Sequence, residues 1–156
     1  MSTPSPLKRH PALHHLSHDH HHGLLLCWKI RQGFKLQVQT DRMKTYCEWF
    51  WNHHLESHFR EEEEFVFPII PADNPLIKQA LSEHRSLKNL FTNWENPETN
   101  LREIEVELER HIRFEERTLF PLIQEKASEE QLKTIEEHGS QEKFAENDSD
   151  TFWLKT

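Results

Sequence analysis

The sequence predicts an all-α fold, an up-down-up-down four-helix bundle with a short extra C-terminal helix. Three observations carry this. Apolar residues recur at spacings of three and four along most of the chain, the period of a helix with one buried face. Only three glycines occur in 156 residues, and no alternating strand pattern competes. Finally, HFREEEEFVFP at 58–68 and HIRFEERTLFP at 111–121 repeat one pattern, as paired helices of a bundle would.

Residues 1–10, with Pro4 and Pro6, read as a loose tail. The first helix runs from Pro11, a first-turn proline, to about Gly33, a C-terminal glycine. Its apolar stripe is Leu13, Leu16, His20, Leu24, Cys27 and Ile30. After the linker FKLQVQ, Thr40 or Asp41 caps a second helix that reaches about Val66, where Pro68 stops it. Its stripe is Met43, Cys47, Phe50, His54, His58, Glu62 and Phe65. Asn74-Pro75 and Asn96-Pro97 each combine an N-cap with a first-turn proline and open the third and fourth helices. The third carries Leu76, Ala80, His84, Leu87, Phe91 and Trp94. The fourth carries Leu101, Ile104, Leu108, His111, Glu115, Thr118 and Leu122, with Pro121 at its end. Short links make these helices antiparallel neighbours, so the bundle spans 11–126. Residues 127–156 hold a short helix, opened by the capping box Ser128–Gln131 and ending near His138, and a tail, NDSDTFWLKT, that no pattern places.

Composition excludes several classes. A formal charge of −8 argues against nucleic-acid binding. No apolar run is long enough to span a membrane, and MSTPSPLKRHP lacks the core of a secretory signal. Cys27 and Cys47 lie in helical patterns and read as packed thiols in a reducing cytoplasm.

Histidine is the outlier, at thirteen residues. Each stripe places one where leucine would be expected: His20, His58, His84 and His111. Glu62 and Glu115 follow two of them at i+4, on the same helix face. A buried, unpaired carboxylate costs several kcal/mol, and two facing one interior also repel. Something positive must lie between them. Histidinium is one candidate. A pair of metal ions is the better one, because carboxylates bridge two ions and neutral imidazoles complete their shells. Nitrogen and oxygen donors without thiolate suit iron, manganese less well, and structural zinc poorly.

Neighbouring residues are weighed by the same periodicity. His20 is preferred to His21 and His22 because it is in phase with Leu16 and Leu24, and Glu115 to Glu116 because it repeats the four-residue spacing. His54 is expected to pack or support rather than ligate. Glu61 and Glu64 read as solvated. His10, His14, His18 and His22 form a row off the core, and His138 with Glu142 reads as a surface pair. Trp28, Trp49, Trp51 and Trp94 are expected to pack, some of them around a dry pocket for a small diatomic ligand.

With LSHDHHHGL in the first helix, EHRSL in the third and the doubled His-x-x-x-Glu-Glu-x-x-φ-Phe-Pro motif, residues 13–123 resemble the hemerythrin family, the HHE cation-binding domains. The resemblance implies an up-down bundle holding two non-haem iron ions, oxo- or hydroxo-bridged. Glu62 and Glu115 would be the carboxylate bridges. His58 would bind one iron and His111 the other, with His84 and His20 supplying the remaining helices. Oxygen-carrying members have a second histidine one turn on in the third helix; here Lys88 stands there, so that His54, another side chain or water would have to substitute.

The expected function is therefore binding of metal ions and of oxygen or a related small ligand, for sensing, storage or iron handling, with any signal passed to a separate protein partner. A di-iron peroxidase, oxidase or nitric-oxide reductase is the alternative. A metal-free helical interaction module is the third reading.

Overall fold

The computed structural model describes residues 8–139 and 144–155. Residues 1–7 of the expected tail and Glu142, the expected partner of His138, lie outside the described residues. Everything regular among the described residues is helical. Helix α1 is His14–Lys35, after a 3-10 turn at Pro11–Leu13. Helix α2 is a continuous run over 40–66, α3 is Pro75–Thr92, α4 is a second continuous run over 97–126, and α5 is Glu129–Gly139.

Local chemistry sets most boundaries. Asn74 Oδ1 accepts from the Leu76 N–H at 2.8 Å and Asn96 Oδ1 from the Thr99 N–H at 3.3 Å, the two cap-plus-proline starts expected. At α5 the capping box closes both ways: Gln131 N–H donates to Ser128 Oγ at 3.1 Å and Ser128 N–H to Gln131 Oε1 at 2.8 Å. At α2 the expectation fails, since Gln39 occupies the N-cap without a side-chain bond and Thr40 is already helical.

Gly33 does not end α1, which runs on to Lys35. It is instead a point where Met43 of α2 packs against α1 and leaves no room for a Cβ. A Cβ at Gly33 would run into Met43 Sδ and lie 3.2 Å from the Phe152 ring. Gly33→Ala should destabilise the protein by about 1–3 kcal/mol in chemical denaturation, the cost of overpacking a filled core.

Both long runs contain π-helical turns that the apolar periodicity does not announce. In α2 they are Trp51–Leu55 and Glu62–Val66, and in α4 Glu115–Leu119. The last two begin on the glutamates of the repeat and end against its proline. Phe67 N–H reaches back to Glu62 O and Phe120 N–H to Glu115 O, five residues rather than four. Pro68 and Pro121 then have no N–H to offer, and a proline ring clashes with a carbonyl four residues back in an α-turn, so the widened turn relieves it. In α2 the helix stops there, as expected. In α4 it does not stop: Phe120–Lys126 continues beyond Pro121. The Glu116 carbonyl loses its helical partner and accepts instead from Arg9 Nη2 at 2.7 Å.

Each π turn adds one residue and rotates the helix beyond it. Leu119 and Ile123 are fully buried in place of the expected Thr118 and Leu122. In α2, Leu55 and Val66 are buried while His54 and Phe65 are turned toward the edge.

Two apolar clusters result, with a polar layer between them. One contains Leu26, Phe59, Leu87, Leu108 and Ile112; the other contains Leu16, Val66, Ala80, Leu119 and Ile123. On every one of the first four helices the ionisable stripe residues fall between a member of one cluster and a member of the other. Helix α4 packs along both α1 and α3.

The unplaced tail is part of this core. Phe152 and Trp153 are buried in the first cluster. Lys29 Nζ, buried in α1, donates to Tyr46 Oη at 2.8 Å and to Glu146, and sits 3.9 Å from the Trp153 ring centroid. Arg42 grips Asp150 with two bonds of 2.8 and 2.6 Å. Trp51 packs against Phe91 as expected, whereas Trp28 is 43% exposed. Cys27 and Cys47 are buried free thiols.

Candidate metal centre

The polar layer consists of His20 from α1, His58 and Glu62 from α2, His84 from α3, and His111 and Glu115 from α4. All six are buried, and both glutamates are wholly so. Their donor atoms form two groups, His20/His58/Glu62/Glu115 and Glu62/His84/His111/Glu115, and within each group the atoms lie within 4.8 Å of one another. The groups share the two glutamates. His58 Nε2 is 3.2 Å and His84 Nε2 3.3 Å from Glu62 Oε1. His20 Nε2 is 3.7 Å from Glu115 Oε1, and His111 Nε2 adjoins the same oxygen.

The far side of every ring is fixed by an acid. His20 Nδ1 donates to Glu116 at 2.7 Å, His58 Nδ1 to Asp19 at 3.0 Å, His84 Nδ1 to Glu63 at 2.8 Å and His111 Nδ1 to Glu83 at 2.7 Å. With Nδ1 donating outward, the Nε2 lone pair of the neutral ring points into the layer. There it has no hydrogen-bond partner: all four Nε2 atoms and all four Glu62 and Glu115 oxygens are buried and unsatisfied.

That arrangement strains every charge in it. Burial pulls the His20 pKa down, but Glu115 and Glu116 more than offset this and lift it to about 9. His58 and His84 are likewise raised well above the ordinary imidazole range, against burial, chiefly by Glu62 and Asp19 for the first and by Glu115 and Glu62 for the second. Burial would raise the Glu115 carboxyl, yet the surrounding imidazoles, His111 foremost, hold it well below the ordinary range. Imidazolium and carboxylate charges thus support one another across the layer.

The six residues that sequence periodicity selects are the six that the structure brings together in this layer. Glu115 faces inward and Glu116 outward, and His20 rather than His21 or His22 joins the layer. His54 belongs to neither group and packs near Trp49 and Phe144, and Lys88 is exposed. One expectation is corrected: Glu61 is not solvated but 9% exposed, bonded to His15 and 3.7 Å from His138 Nε2. The outer acids Asp19 and Glu83 lie off the apolar stripes, so periodicity does not select them. Their signal lies in helix geometry, since each precedes a layer histidine, His20 or His84, by one position and reaches across to the ring of a neighbouring helix. Asp19→Asn and Glu83→Gln should each weaken metal affinity by about 10–100-fold while leaving the fold intact, as read by metal titration and circular dichroism.

A small cavity adjoins the layer. It measures about 20 Å³, is lined by apolar side chains such as Phe59, Leu108 and Ile112 together with histidines, and is bounded by His20, His58 and His111. On this measure it has room for about one water-sized molecule. A wider groove of about 610 Å³ lies outside it and shares four of its lining residues, Asp19, His54, His58 and Phe144.

Fold and site together define a helical protein with a buried, carboxylate-sharing pair of cation-type ligand groups. The Hemerythrin HHE cation binding domain matches residues 12–123, most of the chain, and the chain belongs to that family. Comparison with curated proteins and with solved structures gives no match. No helix among the described residues is long and apolar enough to cross a membrane.

Proposed function

We propose that the chain binds two iron ions and uses them to bind oxygen or a related small ligand. His20 and His58 would hold one ion and His84 and His111 the other, with Glu62 and Glu115 shared between them. The observation that carries this reading is the set of eight inward-facing donor atoms, buried without a partner, behind four imidazoles already oriented by outer carboxylates. A domain stable by about 5–15 kcal/mol cannot keep such a set unless something binds there. Imidazole and carboxylate without thiolate fit iron, and the donor set therefore fits the group the family implies.

When bound, an iron pair supplies Lewis acidity and one-electron chemistry. The chain's own residues do the rest. The outer acids fix each ring, the two apolar clusters keep bulk water from the layer, and the adjoining cavity admits one small molecule. We read residues 11–126 as the metal-binding unit, with the up-down-up-down order supported by the alternation of the two clusters along successive helices. Residues 127–156 are an addition to it. The two free thiols support a reducing, cytoplasmic setting.

Elemental analysis and visible spectra under air and under nitrogen test the proposal. Two iron ions per chain and an oxygen-dependent band are expected. Folded protein that stays iron-free after reconstitution would overturn it.

One observation favours a redox enzyme as the second reading. Among the described residues each group brings together four protein donors, with neither His54 nor Lys88 among them, which would leave coordination positions open to substrate. Sustained turnover of peroxide or nitric oxide, lost in Glu62→Ala, would establish that reading.

A further inference from the structure

The metal layer lies within the family match, 12–123, but one wall of its ligand cavity does not. Phe144 belongs to the C-terminal segment. Most residues around the cavity are buried; those that are not are Asp19, His22, His54 and Phe144, so the cavity approaches solvent where these four meet. Phe144 is the apolar member of that mouth, and it lines both the inner cavity and the outer groove. Its ring lies face to face on His22, centroids 3.8 Å apart and planes within 12°, and 4.3 Å from the His54 ring. Just beyond it the segment is pinned by Glu146 to Lys29 and Tyr46, by Asp150 to Arg42, and by Phe152 and Trp153 in the core.

We propose that Phe144, supplied by the C-terminal segment rather than by the bundle, sets the size limit on what reaches the metal centre. This rests on the small-ligand function proposed for the layer and adds a specificity-determining residue to it. The inner walls cannot perform that role, because Phe59, Leu108 and Ile112 are fixed in the core. At the mouth, four side chains line both a cavity for a single small molecule and a groove some thirty times larger, about 20 against 610 Å³, and Phe144 is the apolar one among them. Phe144 touches His22 and His54, neither of which belongs to the two ligand groups, so changing it alters access without removing a ligand.

The test uses the full-length, iron-loaded chain and azide, a three-atom probe, followed by stopped-flow absorbance. Phe144→Ala should speed azide association by about ten-fold or more, the equivalent of ~1.4 kcal/mol of lost barrier, and imidazole should bind this variant and not the parent. Phe144→Trp should slow azide. A second readout needs no iron: xenon exchange with the cavity of the metal-free chain, followed by NMR, should quicken in the order Trp, Phe, Ala. Equal azide and xenon rates in all three proteins would overturn the proposal. A parent that carries no iron would instead overturn the metal reading, and the xenon order would still decide the role of Phe144.

Discussion

Glu62→Ala should remove both metal ions from the chain, not one. Glu62 contributes to both ligand groups, whereas His84 contributes to one. His84→Ala should therefore retain metal in the His20/His58 group, while Glu62→Ala retains none. The comparison distinguishes a shared carboxylate from two independent sites. Heat stability reports the same event. A ligand present at about 1,000 times its Kd stabilises by ~4 kcal/mol, so the iron-dependent rise in Tm should vanish in Glu62→Ala and persist in part in His84→Ala. Equal residual metal in the two variants would show that the glutamates do not bridge.

The metal-free chain should lose stability as the pH rises from neutrality, opposite to the usual behaviour of a protein rich in ion-paired acids. His20 carries its proton more tightly when folded, at about 9, than at the ordinary value of 6.5. Its contribution is fully present below pH 6.5 and disappears as the pH climbs through about 9. For this one group the loss is about 3 kcal/mol. His58 and His84, raised in the same direction, add to it. Glu115 works the other way, since its depressed pKa contributes stability above the ordinary carboxylate range that is lost on acidification. Urea midpoints of the metal-free protein should peak between these limits and fall toward pH 9. Metal binding must expel the imidazole protons, so the stabilisation by metal should grow over the same interval. A flat profile from pH 6.5 to 9 would show that the imidazoles do not neutralise the two acids.

The legible part of this protein is its periodicity. Spacings of three and four place His20, His58, Glu62, His84, His111 and Glu115 on inward faces, and the Asn-Pro pairs mark two helix starts. The illegible part is of two kinds. A π turn leaves no periodic trace until after it has occurred, so periodicity points Thr118 and Leu122 inward where Leu119 and Ile123 are buried. The cue is present in the repeat, as a proline six residues after each glutamate, but a proline there reads equally well as a stop, which it is in α2 and is not in α4. The second kind is long-range. Lys29 lies on no apolar stripe, yet Tyr46, Glu146 and Trp153 close around it, and Glu61 reads as solvated until His15 does the same. Neither pairing can be inferred without knowing which helix or segment lies alongside.

The widened turn at Glu115–Leu119 reaches beyond its own helix. The carbonyl it frees is taken by Arg9, whose guanidinium also lies 3.5 Å from Glu116 Oε1 and helps hold that carboxyl in its ionised form. Glu116 in turn steers the ring of His20. Residues just ahead of the bundle are thereby mechanically linked to one imidazole of the buried layer.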